Sequence, residues 1–216
     1  MKSNVLLIAL FTTVFAIGAK AQSTTFGARA GFGLQNINGQ YDDDHKYDNK
    51  MKFGINLGFN AEIPVTEEVY IQPGLLFATK GAKDKTYRKA KISLSYLEIP
   101  INLLFKPELG DGKLLLGFGP YLAFAVGGSY TNANGDKAQF KFAHKVTQSE
   151  YAGSAYVRRM DFGVNFLAGY ELSSKLSFQL NAGLGLANIA TKVEGFNNSG
   201  KTKNTGFGIS AGYRFK

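Results

Sequence analysis

The final stretch, Thr205-Gly-Phe-Gly-Ile-Ser-Ala-Gly-Tyr-Arg-Phe215, restricts the fold more than any other. Phe207, Ile209, Ala211, Tyr213 and Phe215 alternate with Gly206, Gly208, Ser210, Gly212 and Arg214. Strict period-2 alternation makes a strand with one apolar face and one small or polar face. The second face is too rich in glycine and charge for a core and too small for an ordinary solvated surface. A strand whose apolar face meets lipid and whose other face lines a lumen accounts for both.

The rest of the chain repeats this pattern. Residues 25–37 alternate Phe26, Ala28, Ala30, Phe32 and Leu34 with Gly27, Arg29, Gly31, Gly33 and Gln35. Phe53 to Ile63 alternates with Gly54, Asn56, Gly58, Asn60 and Glu62. Further strands are expected over 69–81, 91–106, 114–129, 159–172 and 176–188. Pro73 lacks a ladder donor and predicts a bulge or an irregular pairing. Ile92 and Leu94 run in the opposite phase to Leu97, Ile99 and Ile101. That predicts a bulge near Ser95-Tyr96 or an upper half clear of the membrane. The turns after strands two, four and six are short, and the intervening loops are long. The expectation is all-β: an eight-stranded antiparallel up-and-down transmembrane β-barrel, with short turns inside and long loops outside. A soluble sandwich is the bland alternative.

The address agrees. An apolar run, Val5 to Ile17, is followed by Ala19-Lys20-Ala21, so residues 1–21 read as a cleaved signal peptide and 22–216 as the barrel domain. No later segment approaches the ~20 apolar residues of a spanning helix. An exported chain without an anchor helix is either soluble outside the inner membrane or a barrel, and composition leans to a barrel in the cell outer membrane. The chain has no cysteine, which excludes disulfides, thiolate metal sites and a cysteine nucleophile. A mean hydropathy of −0.11 suits a barrel, in which every second residue faces inward.

Eight strands enclose a space that side chains can fill. The inward phase carries Arg29, Glu62, Lys80, Glu98, Asp161, Glu171 and Arg214, so a packed polar lumen with paired charges is expected. Arg29, Arg214, Glu62 and Glu171 are predicted to cluster at the short-turn end, and Lys80 to pair with Glu98 higher up.

Several phrases coincide across the chain: Leu75-Leu-Phe-Ala-Thr-Lys-Gly81, Tyr96-Leu-Glu-Ile-Pro-Ile-Asn102, Gly119-Pro-Tyr-Leu-Ala-Phe124, Gly169-Tyr-Glu-Leu172 and the Tyr213-Arg-Phe215 ending. Together they resemble the PorT-like outer-membrane β-barrel family of Bacteroidota. The resemblance implies a small eight-stranded barrel and carries no defined task.

The chemical motifs are thin. Gly195-Phe-Asn-Asn-Ser-Gly-Lys-Thr202 matches a phosphate-binding loop by letter, but a strand follows it and the loop faces outward, so it reads as a chance match. Asp42-Asp43-Asp44-His45 lacks the spacing and glycine of a calcium loop and reads as a solvated acidic run. His144, Ser149 and Glu150 share a loop and contain the residue types of a base, a nucleophile and an orienting group, with nothing to fix their geometry. No cofactor is implied. Lys83, Lys85, Arg88, Lys89 and Lys91 make a basic loop facing Asp84 alone. It either holds lipopolysaccharide phosphates or serves solubility. Outer-membrane lipid and, during assembly, the barrel-insertion machinery are the expected partners; nucleic acid is excluded by address and fold. The reading is a non-enzymatic barrel of structural or partner-binding type. A narrow solute channel and a lipid-modifying enzyme are the alternatives.

Overall fold

A computed structural model describes residues 24–40, 46–87, 89–196 and 200–215. The leader, Asp42–His45, Arg88 and residues 197–199 of the loop-like motif lie outside the described residues. The wall consists of β1 (Thr25–Gln40), β2 (Asn49–Pro64), β3 (Val69–Asp84), β4 (Lys91–Phe105), β5 (Gly112–Thr131), β6 (Met160–Glu171), β7 (Leu176–Gly185) and β8 (Lys201–Arg214). Each pairs antiparallel with the next, and β8 returns to β1 from Gly27↔Arg214 to Gln40↔Lys201. The eight strands therefore close, and the wall has no edge that needs protection.

Alternation sorts the two faces. Phe26, Phe32, Phe53, Ile55, Leu57, Phe59, Leu75, Phe77, Ile99, Ile101, Phe118 and Phe162 are all exposed on the outside. A soluble protein rarely tolerates contiguous apolar surface beyond a few hundred Å². Around a barrel the same surface is the lipid-facing belt.

Prolines interrupt three neighbouring seams. β2 and β3 keep one register, Asn60↔Gly74 to Ile63↔Ile71, but the pairs between them, at Ala61–Glu62 and Gln72–Pro73, lapse. Pairing lapses likewise beside Pro100 on the β3–β4 seam and beside Pro120 on the β4–β5 seam. Proline lacks the N–H, so each lapse follows from the sequence. At Pro73 this is a gap in an unbroken register, not a bulge.

The register does shift between Ser95 and Tyr96, where Ser95 faces Gly127 and Tyr96 faces Ala125. The extra residue is Val126 on β5. β4 itself never changes phase: Ile92, Leu94, Tyr96, Glu98, Asn102 and Leu104 all turn inward. The apparent phase change arose because the upper lumen is apolar.

The long segment between β5 and β6 folds over the barrel mouth. Residues 141–142 pair parallel with 156–157, and residues 145–146 pair parallel with 192–193 from the β7–β8 loop. A short helix, Gln148–Gly153, lies between, capped at Thr147.

Candidate functional site: a plugged lumen under an aromatic cup

At the short-turn end the lumen holds four ions. Glu62 is 2% exposed and accepts hydrogen bonds from Lys106 Nζ at 2.7 Å, Gln72 Nε2 at 3.3 Å and the Arg214 guanidinium. Lys106 also reaches Glu171 at 3.0 Å, and Arg214 donates to Asn60 Oδ1 at 2.8 Å. Two acids and two bases balance. The fourth member differs from the expected set: Lys106 stands where Arg29 was placed. The register pairs Glu62 with Thr25, four residues below Arg29, or about 13 Å along the strand. Lys106 was detectable in principle, since it continues the inward phase of Glu98 and Asn102.

Higher up, Lys80 Nζ lies 2.9 Å from Glu98 and 3.4 Å from Asp161, and 4.1 Å from the centre of the Tyr121 ring. Asp161 Oδ2 also accepts from Tyr121 Oη at 3.2 Å and from Asn204 Nδ2 at 3.0 Å. Sequence reasoning anticipated neither Asp161 nor Tyr121 beside Lys80. Arg29 instead lines a lumen cavity of about 90 Å³ together with Lys80, Glu98, Asn102 and Asn181. Its Nη1 is 3.5 Å from Asn181 Oδ1, and its Nε has no partner in the protein. One water needs ~10–15 Å³, so the cavity has room for waters that satisfy Arg29 and the free Asn102 Oδ1. Glycines create this space: Gly33 pairs with Gly54 on one side and Gly208 on the other. A Cβ on Gly33 would lie 2.7 Å from Gly208 Cα, so no side chain fits there.

The lumen is not polar throughout. Leu94, Tyr96, Ala123, Ala125, Val157 and Ile189 form a buried apolar lid, with Ile92, Phe140 and Phe142 packed on it. Leu104, Leu115 and Leu167 form a second apolar cluster lower down. The expected all-polar packing is thus corrected to ionic layers alternating with apolar ones. Val157 and Ile189 come from loops whose inward course has no periodic signal.

Above the lid lies an open cup of about 430 Å³. Its floor is Ile37, Leu94, Val157 and Ile189, and Tyr47, Tyr130, Phe140, Tyr151 and Tyr156 stand around it. Tyr47 is tied to Thr202 by a 3.0 Å hydroxyl contact. Asn49 donates to Ile37 O at 2.8 Å, which fixes the loop approach from β2. The volume is in the range of small-molecule sites, and apolar walls with a few polar groups are their usual lining.

The other motifs are accounted for structurally. Glu150 accepts from the Thr147 amide and hydroxyl, both at 2.8 Å, and Ser149 meets the same hydroxyl at 3.2 Å. These contacts hold the Glu150 carboxyl below its usual range and make it a helix cap. Lys201 and Thr202 open strand β8, where a phosphate-binding loop would require a helix. Among the described residues no group of three or more His, Asp or Glu side chains is placed to hold a metal. Of the basic residues, Lys83 belongs to β3, which runs three residues farther than expected, and Lys91 opens β4 where that strand was expected to start. Lys85 pairs with Asp48 at 3.0 Å, and Lys89 donates to Asn134 O at 3.2 Å.

The family described as outer membrane protein beta-barrel domain matches residues 20–191. Among solved structures, the Ail attachment invasion locus protein of Yersinia pestis, in complex with the heparin analogue sucrose octasulfate, is 13% identical, covering 89% of this chain and 99% of its own, with a TM-score of 0.42. Neisserial surface protein A is 10% identical over 88% and 97%, with a TM-score of 0.46. A major outer membrane protein from Thermus thermophilus is 17% identical over 89% and 100%, also at 0.46. No curated protein matches the sequence.

Proposed function

The chain belongs to the outer membrane protein beta-barrel domain family, and from that premise we propose that it is a surface-binding barrel, neither a channel nor an enzyme, whose ligand enters the external cup. The observation that carries the reading is the apolar lid. Side chains from the wall and from two loops pack beneath the cup, so the cup is a blind pocket and not the mouth of a pore. The phrases quoted for the PorT-like resemblance support that subgroup within the family.

Five aromatic rings with hydroxyl and amide groups between them suit a ligand with a flat or apolar face and hydrogen-bonding edges. Sugars and small aromatic glycosides have that character. The test is an NMR titration of the protein in lipid nanodiscs with p-nitrophenyl glycosides as probes. Saturable shifts at Tyr130, Tyr156 and Ile189, lost in Tyr130→Ala with Tyr156→Ala, are expected. Shifts scattered over the loops, or equal shifts in the double variant, would refute the cup as the site.

A further inference from the structure

The top of the wall has a charge pattern that folding alone does not explain. Lys50 on β2 pairs directly with Lys83 on β3, and Lys83 pairs directly with Lys91 on β4. Lys91 pairs with Thr131 on β5, and Thr131 pairs with Lys137 on the short return strand Lys137–Gln139. Directly opposed residues share a face, so four lysines stand in one row across five strands, about 19 Å long at ~4.8 Å per strand. Like charges placed directly opposite destabilise a sheet.

The row faces outward. Lys91 is in phase with Ser93, Ser95 and the exposed Leu97, and all four lysines are exposed. Between Met51 and Asn56 the β2 register slips by one residue, which brings Lys50 onto the face of Lys83. Lys52 adds a further charge: it feels Lys91 and Lys83. Its stem lies beside Gly81, where a Cβ would stand 3.3 Å from Lys52 Cδ.

The nearby carboxylates among the described residues are engaged elsewhere. Asp84 accepts from the amides of Thr86 and Tyr87, Asp48 pairs with Lys85, and Asp136 accepts from Asn132. No ion pair to Lys50, Lys83, Lys91 or Lys137 occurs among the described residues.

The height of the row identifies the occupant. Lys50, Lys83 and Lys91 lie three, six and six residues beyond Phe53, Phe77 and Leu97, exposed apolar side chains of the belt, with the exposed Met51 beside Lys50. At ~3.3 Å per residue and a tilt near 40°, that is about 8–15 Å above the apolar edge. Flexible lysine stems reach down from there into the headgroup layer. We infer that this outward lysine row is a binding site for a phosphorylated lipid of the outer leaflet, with its phosphates held between neighbouring ammonium groups. The row stands at the outer rim of the wall, where Lys83 and Lys91 also border the cup, so Tyr130→Ala with Tyr156→Ala, which disables the cup alone, should still bind the lipid.

The probe is lipid A bearing its phosphates, compared with the same lipid after phosphatase treatment, added to the purified full chain in neutral detergent. Thermal unfolding and native mass spectrometry read the binding. The phosphorylated lipid should raise Tm and be retained, and the dephosphorylated lipid should do neither. Lys83→Gln with Lys91→Gln should bind about 25-fold more weakly, at roughly fivefold per lysine near a charged headgroup. Without lipid this variant should be no less stable than the wild type, because it relieves repulsion. Lys201→Gln with Lys203→Gln, on β8 away from the row, should bind normally. Equal effects of the two lipids would overturn the inference. So would full binding by the Lys83/Lys91 variant, or saturation of the row by a soluble sulfated oligosaccharide with no response to the lipid.

Discussion

Replacing Glu62 by glutamine tests whether the lower ion cluster holds the barrel together. The substitution keeps the side chain's size and removes its charge. Lys106 still has Glu171 at 3.0 Å. Arg214 is left with Asn60 Oδ1 at 2.8 Å, a neutral acceptor. One guanidinium is then buried with no carboxylate against it. The side chains of Glu62 and Arg214 are 3% and 10% exposed, so solvent screening gives little relief. Breaking such a buried pair costs about 3–5 kcal/mol, whereas an exposed pair costs ~0–1 kcal/mol. Combining Glu62→Gln with Arg214→Met removes the stranded charge, restores neutrality and should recover most of the loss. The chain has no tryptophan, so far-UV circular dichroism during reversible urea unfolding from lipid vesicles is the assay. A loss below about 1 kcal/mol for Glu62→Gln, or a double variant as unstable as the sum of the singles, would refute a cooperative buried cluster.

Four further outcomes are expected. Leu57→Arg, on the lipid face, should cost about 2–4 kcal/mol in the same assay. Asn56→Arg, which borders the lumen cavity, should cost less, and equal costs would reverse the assigned faces. In planar bilayers the wild type should show no steady porin-sized conductance, while Leu94→Ser with Ile189→Ser should admit small ions by wetting the lid; an open wild type would contradict the plug. The Glu150 carboxyl is depressed in the folded chain, so its capping contribution is complete above its unfolded value and is lost as pH falls through the lower folded value. Amide exchange in Gln148–Gly153 should therefore quicken on acidification, and Glu150→Gln should remove the dependence. Intact mass of the protein from outer membranes should correspond to a chain beginning at Gln22, and a retained leader would contradict the cleavage reading.

The wall was legible because lipid and lumen impose opposite demands on neighbouring residues. Phe53, Ile55 and Leu57 against Gly54, Asn56 and Gly58 set an apolar face beside a small, polar one at every step. What lay inside was harder to read, because alternation gives the phase of a residue and not its height. Arg29 and Arg214 are both inward, yet the register sets one against Glu62 and the other beside a cavity. Lys106 was in phase but stood at the very end of the expected strand, where a lysine looks like a turn residue. Ile92 and Leu94 looked misphased because a polar lumen was assumed, and only the cap shows what they pack against. The lysine row depends on a one-residue slip in β2, and sequence alone does not fix where such a slip falls.

The parallel tie between residues 145–146 and 192–193 limits how this protein can diverge. External loops of a barrel are ordinarily free to lengthen, shorten and drift one at a time. Here the loop after β5 and the loop after β7 share a ladder, and each places one residue, Val157 or Ile189, in the same lid. A deletion in one loop misplaces its partner, so the two should change together or not at all. Among the described residues the loop after β1 and the tip of the β3–β4 hairpin share no ladder and meet through the exposed Lys85–Asp48 ion pair, a far weaker tie. Variation under immune or phage pressure should therefore accumulate on one side of the mouth while the other side keeps its length.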